Sequence, residues 1–252
     1  MRDRTILEIK CRDWSDFRSK LESDVYKKGF FVSGEFLYRG LPSVDYRLET
    51  SFDRWYKGPK AKRPNVSDQL LRTFSKECDG YPGIGSELDE DDDRLSALAQ
   101  HHGLPTRLLD WTVSPYIAAF FAFSYTFDTD AALDDYVAVW VLDPSDEIWS
   151  PDNGAYILDP KKHGNDRMKN QGGRFTRVVG AFDDLEDFVL EMDRPDALRK
   201  ILLPTTDIEK AMGDLDAMQF NHARLFPGPD GFAKEAKAKV GIDLKIKSTP
   251  KA

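Results

Sequence analysis

Cysteine is nearly absent from this chain: Cys11 and Cys78 are the two thiols among 252 residues. They stand in unrelated contexts, which excludes a disulfide framework or a thiolate metal site as the organising feature. Histidine is almost as scarce, with four in all. His163 and His222 lie far from the adjacent pair His101-His102, and on a helix that pair diverges by about 100°, so a shared ion is disfavoured. No metal is expected. No apolar run approaches the roughly 20 residues of a membrane span, and Met1-Arg2-Asp3-Arg4 lacks the basic-then-apolar order of a signal peptide. The expectation is a cytoplasmic, soluble protein with no membrane partner. A Gly-x-Ser-x-Gly elbow and a Walker loop are both missing, and Gly83-Ile84-Gly85 has no strand before it, which leaves a serine hydrolase and a dinucleotide fingerprint unsupported. Repeats and low-complexity tracts are absent too.

Positive charge is in deficit. The 36 basic residues against 44 acidic ones give a formal charge of -8, which disfavours a broad electrostatic nucleic-acid binder. The basic cluster of Arg54, Lys57, Lys60, Lys62 and Arg63 and the acidic run from Glu87 to Asp93 read as solvated loops. A metal-dependent nuclease would need an acidic cluster around an ion, and that run does not supply one. Apolar residues are plentiful: 40% hydrophobic content fills a core.

Residues 12–28 place Trp14, Phe17, Leu21 and Val25 at helical spacing, with Asp13 or Ser15 to cap. Phe36, Leu37 and Tyr38 read as a short strand ending in Arg39-Gly40. Residues 57–65 read as an exposed loop and 67–78 as a helix. A second helix from Arg94 to His102 stops at Gly103, with Pro105 just beyond. Thr112 or Ser114 caps an apolar helix from Pro115, which must be buried. Tyr136–Leu142 has no polar face and reads as a central strand. Residues 150–170 read as a long loop, 175–179 as a strand, and 185–192 is ambiguous. Residues 200–204 read as a strand, 207–218 as a helix and 223–226 as a further strand. Strands and helices do not alternate regularly, so the fold class is α+β, a mixed and mostly antiparallel sheet with packed helices. One domain is expected: a helical lead-in over 1–34, a core over 36–232 and a frayed basic tail over 245–252.

The densest chemistry lies in Gln100-His101-His102-Gly103-Leu104-Pro105-Thr106-Arg107-Leu108-Leu109-Asp110-Trp111-Thr112. Two imidazoles, a guanidinium, a carboxylate and an indole beside an apolar helix are costly to bury unpaired, so the stretch reads as a site. Of His101 and His102, one faces a pocket and the other caps the helix end. In an extended segment Asp110 points away from Leu109 and Trp111 and can pair with Arg39 or Arg107. Arg39 has two readings, a phosphate fork or a structural ion pair, and Gly40 leaves room for a ligand or another backbone. Gln171, before a candidate strand, can donate and accept hydrogen bonds.

These blocks resemble the FRG-domain family, named for a Phe/Tyr-Arg-Gly motif that reads Tyr38-Arg39-Gly40 here. Residues 100–112 with Pro115, Ala118, Phe121 and Ala122 resemble its central signature. Arg167, Gln171, Gly172 and Phe175 resemble a third block, and Leu225-Phe226-Pro227 with Asp230-Gly231 a closing one. The order of blocks is also similar, more distantly, to ADP-ribosyltransferases of the Arg-Ser-Glu type. That resemblance implies an ADP-ribosyltransferase-like fold and an effector of the toxin, toxin–antitoxin or antiviral (phage-defence) type. Such an enzyme would move ADP-ribose from NAD, as substrate, to a protein or nucleic-acid acceptor, under restraint by an antitoxin or regulatory protein. It implies catalytic roles for Arg39, His102, Asp110 and Gln171, and NAD contacts from Tyr38, Arg39, Gly40, His101, Thr106, Arg107, Trp111 and Thr112. Gln171 stands where that type has a glutamate, so Asp110, Glu186 or Glu191 would have to supply the negative charge. The competing expectation is a non-catalytic module that binds a nucleotide or single-stranded RNA by stacking on Trp111 and pairing with Arg107.

Overall fold

Strand β6 (Tyr136–Leu142) is buried on both faces and organises the sheet around it. The computed structural model describes residues 5–27, 30–32, 34–80, 92–124, 134–158 and 173–248. Seven strands lie in the spatial order β1 (Leu7–Lys10), β9 (Leu198–Pro204), β6, β4 (Leu37–Leu41), β5 (Leu108–Thr112), β8 (Gly173–Val178) and β7 (Ala155–Leu158). The pair β1–β9 is parallel and every other pairing is antiparallel. A separate antiparallel pair joins β2 (Tyr26–Lys27) to β3 (Phe30–Phe31). The fold is α+β with a mixed, mostly antiparallel sheet, as its residues predict.

Both faces of the sheet are covered, which is why β6 carries no polar side. On one face Val137, Val139 and Val141 meet Tyr38, Ile201 and Leu203 under α1 (Trp14–Val25), α5 (Pro115–Ser124) and, after α6 (Leu185–Glu191), α7 (Ile208–Ala217). On the other, Ala138, Trp140 and Leu142 meet Leu37, Leu109 and Trp111 under Leu185 and Phe188 of α6. The caps follow the sequence. Asp13 Oδ1 accepts from the Asp16 amide at 2.8 Å to start α1, and Ser114 Oγ accepts from the Ile117 amide at 3.3 Å to start α5. Between them lie α2 (Ser51–Trp55), α3 (Arg63–Glu77) and α4 (Asp92–His101), and α4 ends at Gly103, whose φ of 84° is the left-handed closure expected there.

Helix α5 rests directly on the backbone of β4. A Cβ at Gly40 would lie 1.9 Å from the Ala118 carbonyl oxygen and 2.6 Å from the Ala122 nitrogen. Of the two reasons for a glycine at this place, the close backbone is the helix and not a ligand. The small residues Ala118 and Ala122 are its complement.

Several elements depart from expectation. The lead-in is not purely helical, because Leu7–Lys10 forms the edge strand β1 beside β9; four residues are too few to show a period. Residues 155–158 form β7 inside the stretch read as a loop. Proline at the start of a helix needs no amide partner, so α3 begins at Arg63 with Pro64 in its first turn. Asp184 caps the ambiguous 185–192 stretch into α6 by accepting from the Asp187 amide at 2.9 Å. The strand expected over 223–226 is instead a short helix, α8 (His222–Leu225), capped by Asn221, whose Oδ1 accepts from the Arg224 amide at 3.0 Å. It is packed by Gly231, where a Cβ would lie 1.8 Å from the Phe226 carbonyl oxygen. Helix α9 (Pro229–Ser248) then runs into the expected tail.

Gly40→Ala should therefore lower the melting temperature by about 5 °C or more, since overpacking of this kind costs about 1–3 kcal/mol or more. A variant that melts with the wild type would show that α5 does not press on β4.

Candidate functional site

The sheet is nearly divided between β4 and β5. Strand β4 pairs with β6 over five residues and β5 with β8 over five, whereas β4 and β5 share the single registered pair Tyr38–Thr112. Past that pair the Asp110 carbonyl accepts from a side chain: Arg39 Nη1 donates to it at 2.7 Å. Backbone carbonyls inside a fold need a partner, and the guanidinium supplies it where the ladder stops. The same guanidinium stands 3.8 Å from Asp110 Oδ2. The ion-pair reading of Arg39 therefore holds in part, and a cavity of about 1170 Å³ opens beside both residues.

Asp110 alternates as expected, with Leu109 and Trp111 buried and its own side chain 64% exposed into the cavity. Gln100, on the last turn of α4, donates its amide nitrogen to Asp110 Oδ1 at 2.9 Å and Oδ2 at 2.8 Å, and its amide oxygen accepts from the Thr106 hydroxyl. Enclosure by protein pushes the Asp110 carboxyl above its ordinary value, while Arg39 and the Gln100 amide draw it down. Most of the side chain stays open to cavity water, with the Gln100 amide and Arg39 facing its oxygens. Arg39 is 19% exposed. Burial pulls its pKa down, Asp110 opposes that, and Arg54 adds to it.

Tyr38, Arg39, Gly40, Asp110, Trp111 and Thr112 all line this cavity, so six of the expected residues come together. Four others do not line it. His101 and His102 are exposed, with rings edge-on at 5.3 Å. Thr106 is buried behind Gln100, and Arg107 is turned to the opposite side, where it lines a smaller cavity of about 370 Å³. Gln171 lies outside the described residues, as do His163, Arg167 and Gly172. Of the substitutes for the missing glutamate, Asp110 is in the cavity, Glu191 is exposed elsewhere, and Glu186 faces the Leu48 amide, which donates to it at 2.6 Å.

Arg107 has a structural task. Its Nε is 3.5 Å from Asp53 Oδ1, its Nη1 donates to the Gly180 carbonyl at 2.6 Å, and Arg63 Nε reaches the same Asp53 oxygen at 3.6 Å. One carboxylate buried in α2 thus holds two guanidiniums, from the start of α3 and the start of β5. Breaking such a buried cluster by removing the shared partner leaves uncompensated charge.

Other cavity residues escaped the sequence. Arg54 and Tyr46 line it from the segment after β4, and Phe121, His222 and Phe226 from the opposite end. Gln100 was legible as the first residue of the densest stretch, although the imidazoles beside it drew the chemical reading. Aromatic residues in α5 and α8 look like ordinary core, and His222 indeed stacks edge-on against Phe120 at 4.8 Å. At the cavity edge Arg47 Nε bonds Asp184 at 2.6 Å and its Nη2 bonds Asp187 at 2.9 Å. Among the described residues no group of three metal-ligating side chains occurs, and no helix is long and apolar enough to cross a membrane.

Two outcomes follow for stability. Asp53→Asn should cost about 3–5 kcal/mol by leaving Arg63 and Arg107 without a counter-charge, read as a large shift in denaturant midpoint; a shift under about 1 kcal/mol would contradict the cluster. Glu186 is raised from 4.5 to about 7, chiefly by burial. Its folded pKa lies above the unfolded one, so the folded state holds an extra proton between about pH 4.5 and 7. Stability relative to a Glu186→Gln variant should therefore fall as pH rises through that window, by an amount on the order of 2–3 kcal/mol. A wild-type minus variant difference that is flat or rises with pH would contradict this.

Comparison with protein families locates the resemblance. The matched stretch contains the Tyr38-Arg39-Gly40 strand, α4, β5 and α5, which are the elements that carry the β4–β5 opening; the third and closing blocks lie beyond it. No curated protein and no solved structure matches the chain. Residues 34–131 are matched by the family model of the FRG domain.

Proposed function

We propose that the chain is an ADP-ribosyltransferase-like effector, of the toxin or phage-defence type, that transfers ADP-ribose from NAD to a protein or nucleic-acid acceptor. One observation carries the reading: Arg39, one of the two partners open to Asp110, meets it at the β4–β5 opening beside a cavity of about 1170 Å³. That volume exceeds the roughly 300–1,000 Å³ of common small-ligand pockets and suits a dinucleotide. Arg39 is the anchor for the NAD diphosphate or the nicotinamide ribose. Its fork is already oriented by the Asp110 carbonyl, so little freedom is lost on binding.

In the transfer the bond from ribose C1′ to the nicotinamide nitrogen breaks and the leaving group keeps the electron pair. Positive charge develops across C1′ and the ring oxygen. A carboxylate held in place before reaction stabilises such charge without reorganising, and Asp110, beside Arg39 and fixed through both oxygens by Gln100, suits that part. An acceptor oxygen or nitrogen then bonds to C1′ and releases its proton to a base, a part open to the Asp110 carboxylate in the same cavity. This arrangement answers in part the glutamine at position 171. His102, exposed just after α4, is not used in this scheme.

The alternative, a binding module that stacks a base on Trp111, loses its platform. That ring is 3% exposed and its Nε1 donates to the Thr176 hydroxyl at 3.0 Å. Arg107 is likewise engaged with Asp53 and Gly180.

The test is release of nicotinamide from NAD by the full chain with cell lysate as acceptor source. Wild type should release it and label an acceptor, and Arg39→Ala should lose at least about a hundredfold of the rate, the scale of one oriented charge contact. Equal rates would remove Arg39 from the chemistry, and NAD binding without any release would favour the binding module.

A further inference from the structure

The loop and helix that follow β4 bring a second guanidinium into the cavity that no motif marked. Arg54 belongs to α2, immediately after Asp53. Neighbouring residues on a helix point about 100° apart. With Asp53 held inward between Arg63 and Arg107, Arg54 is turned outward into the large cavity. Its Nη1 donates to the Glu49 carbonyl at 2.6 Å, which fixes the guanidinium of a residue that lines the cavity. Among the described residues no carboxylate lies within ion-pair distance of it.

The cavity's other charges are largely accounted for. Arg47 is bound by Asp184 and Asp187. Asp183 is bound by Lys60 and by Arg63 at 3.0 Å, and Lys234 stands over the Phe226 ring. Asp110 is taken by Gln100 and Arg39. Around Arg39 the charges that act are Asp110, which supports it, and Arg54, which opposes it. Two like charges therefore line one cavity, Arg39 held by the Asp110 carbonyl with that residue's carboxylate at 3.8 Å, and Arg54 held by the Glu49 carbonyl. Like charges fixed together repel, and a bound anion relieves that repulsion. The Asp45 and Glu49 carboxylates also line the cavity. Together with Asp110 they oppose negative charge beyond what two guanidiniums neutralise.

We infer that Arg54 and Arg39 form a two-guanidinium clamp for a diphosphate, with the carboxylates around it favouring a doubly charged diphosphate diester over a triphosphate. Each guanidinium presents a planar fork matched to phosphoryl oxygens. This rests on the transferase reading for the place of the ligand, and it adds the second cation and the limit on charge.

Calorimetry with ADP-ribose, ATP and adenosine on the full chain separates the outcomes, with thermal melts to confirm folding. Wild type should bind ADP-ribose more tightly than ATP. Arg54→Gln should weaken ADP-ribose by about tenfold or more, the scale of a charge-assisted contact, and leave adenosine unchanged. Arg54→Lys should recover part of the loss. Unchanged ADP-ribose affinity in Arg54→Gln, equal losses for adenosine, or tighter binding of ATP than of ADP-ribose would each overturn the clamp. Should ADP-ribose bind in this Arg54-dependent way while NAD is never cleaved, the clamp stands and the transferase reading fails.

Discussion

The hydrogen bond from Arg39 to the Asp110 carbonyl is the constraint on which this architecture turns. A continuous ladder between β4 and β5 would close the sheet and leave no opening; the strands instead share one pair and a side chain completes what the backbone leaves undone. The arginine is thereby part of the scaffold and part of the cavity wall at once. A guanidinium has five donors, so one can hold the carbonyl while others remain for a ligand. Lysine, a single charged point, cannot divide itself this way.

The surroundings keep that bond in register. Gly40 allows α5 to lie against β4, which fixes the strand from one face. Gln100 spans from Thr106 to both oxygens of Asp110, so the turn after α4 and strand β5 are tied together. On the far side Asp53 gathers Arg63 and Arg107, locking α2 and α3 to the start of β5. Polar networks of this kind stabilise only when their members are matched, and they then define one geometry where apolar packing alone would permit several. The FRG match covers these same pieces, from Tyr38-Arg39-Gly40 through α5.

Much of this was legible. Tyr136–Leu142 lacks a polar face because it lies between two covered faces, and Gly103 with Pro105 marks a helix end by backbone geometry alone. The alternation of Leu109, Asp110 and Trp111 correctly set the carboxylate apart. What the chain did not reveal depends on long-range partners. Leu7–Lys10 is strand only because β9 offers it an edge, and His222–Leu225 is helical because Asn221 caps it and Gly231 lets α9 approach. Arg107 looked like a ligand contact by its neighbours in sequence, yet its partner Asp53 lies more than fifty residues away and could not be paired with it by spacing. Arg54 sat in a basic cluster that resembles a solvated loop, and only the fold of α2 turns it into the cavity.

On the proposed function, the opening between β4 and β5 receives a diphosphate at Arg39. A crystal structure of the full chain with ADP-ribose tests it most directly. The diphosphate should lie within hydrogen-bond distance of the Arg39 guanidinium, in the cavity shared with Asp110, while Arg39 keeps its bond to the Asp110 carbonyl. Density for the ligand in the smaller cavity beside Arg107, or on the outer surface with the large cavity empty, would contradict it.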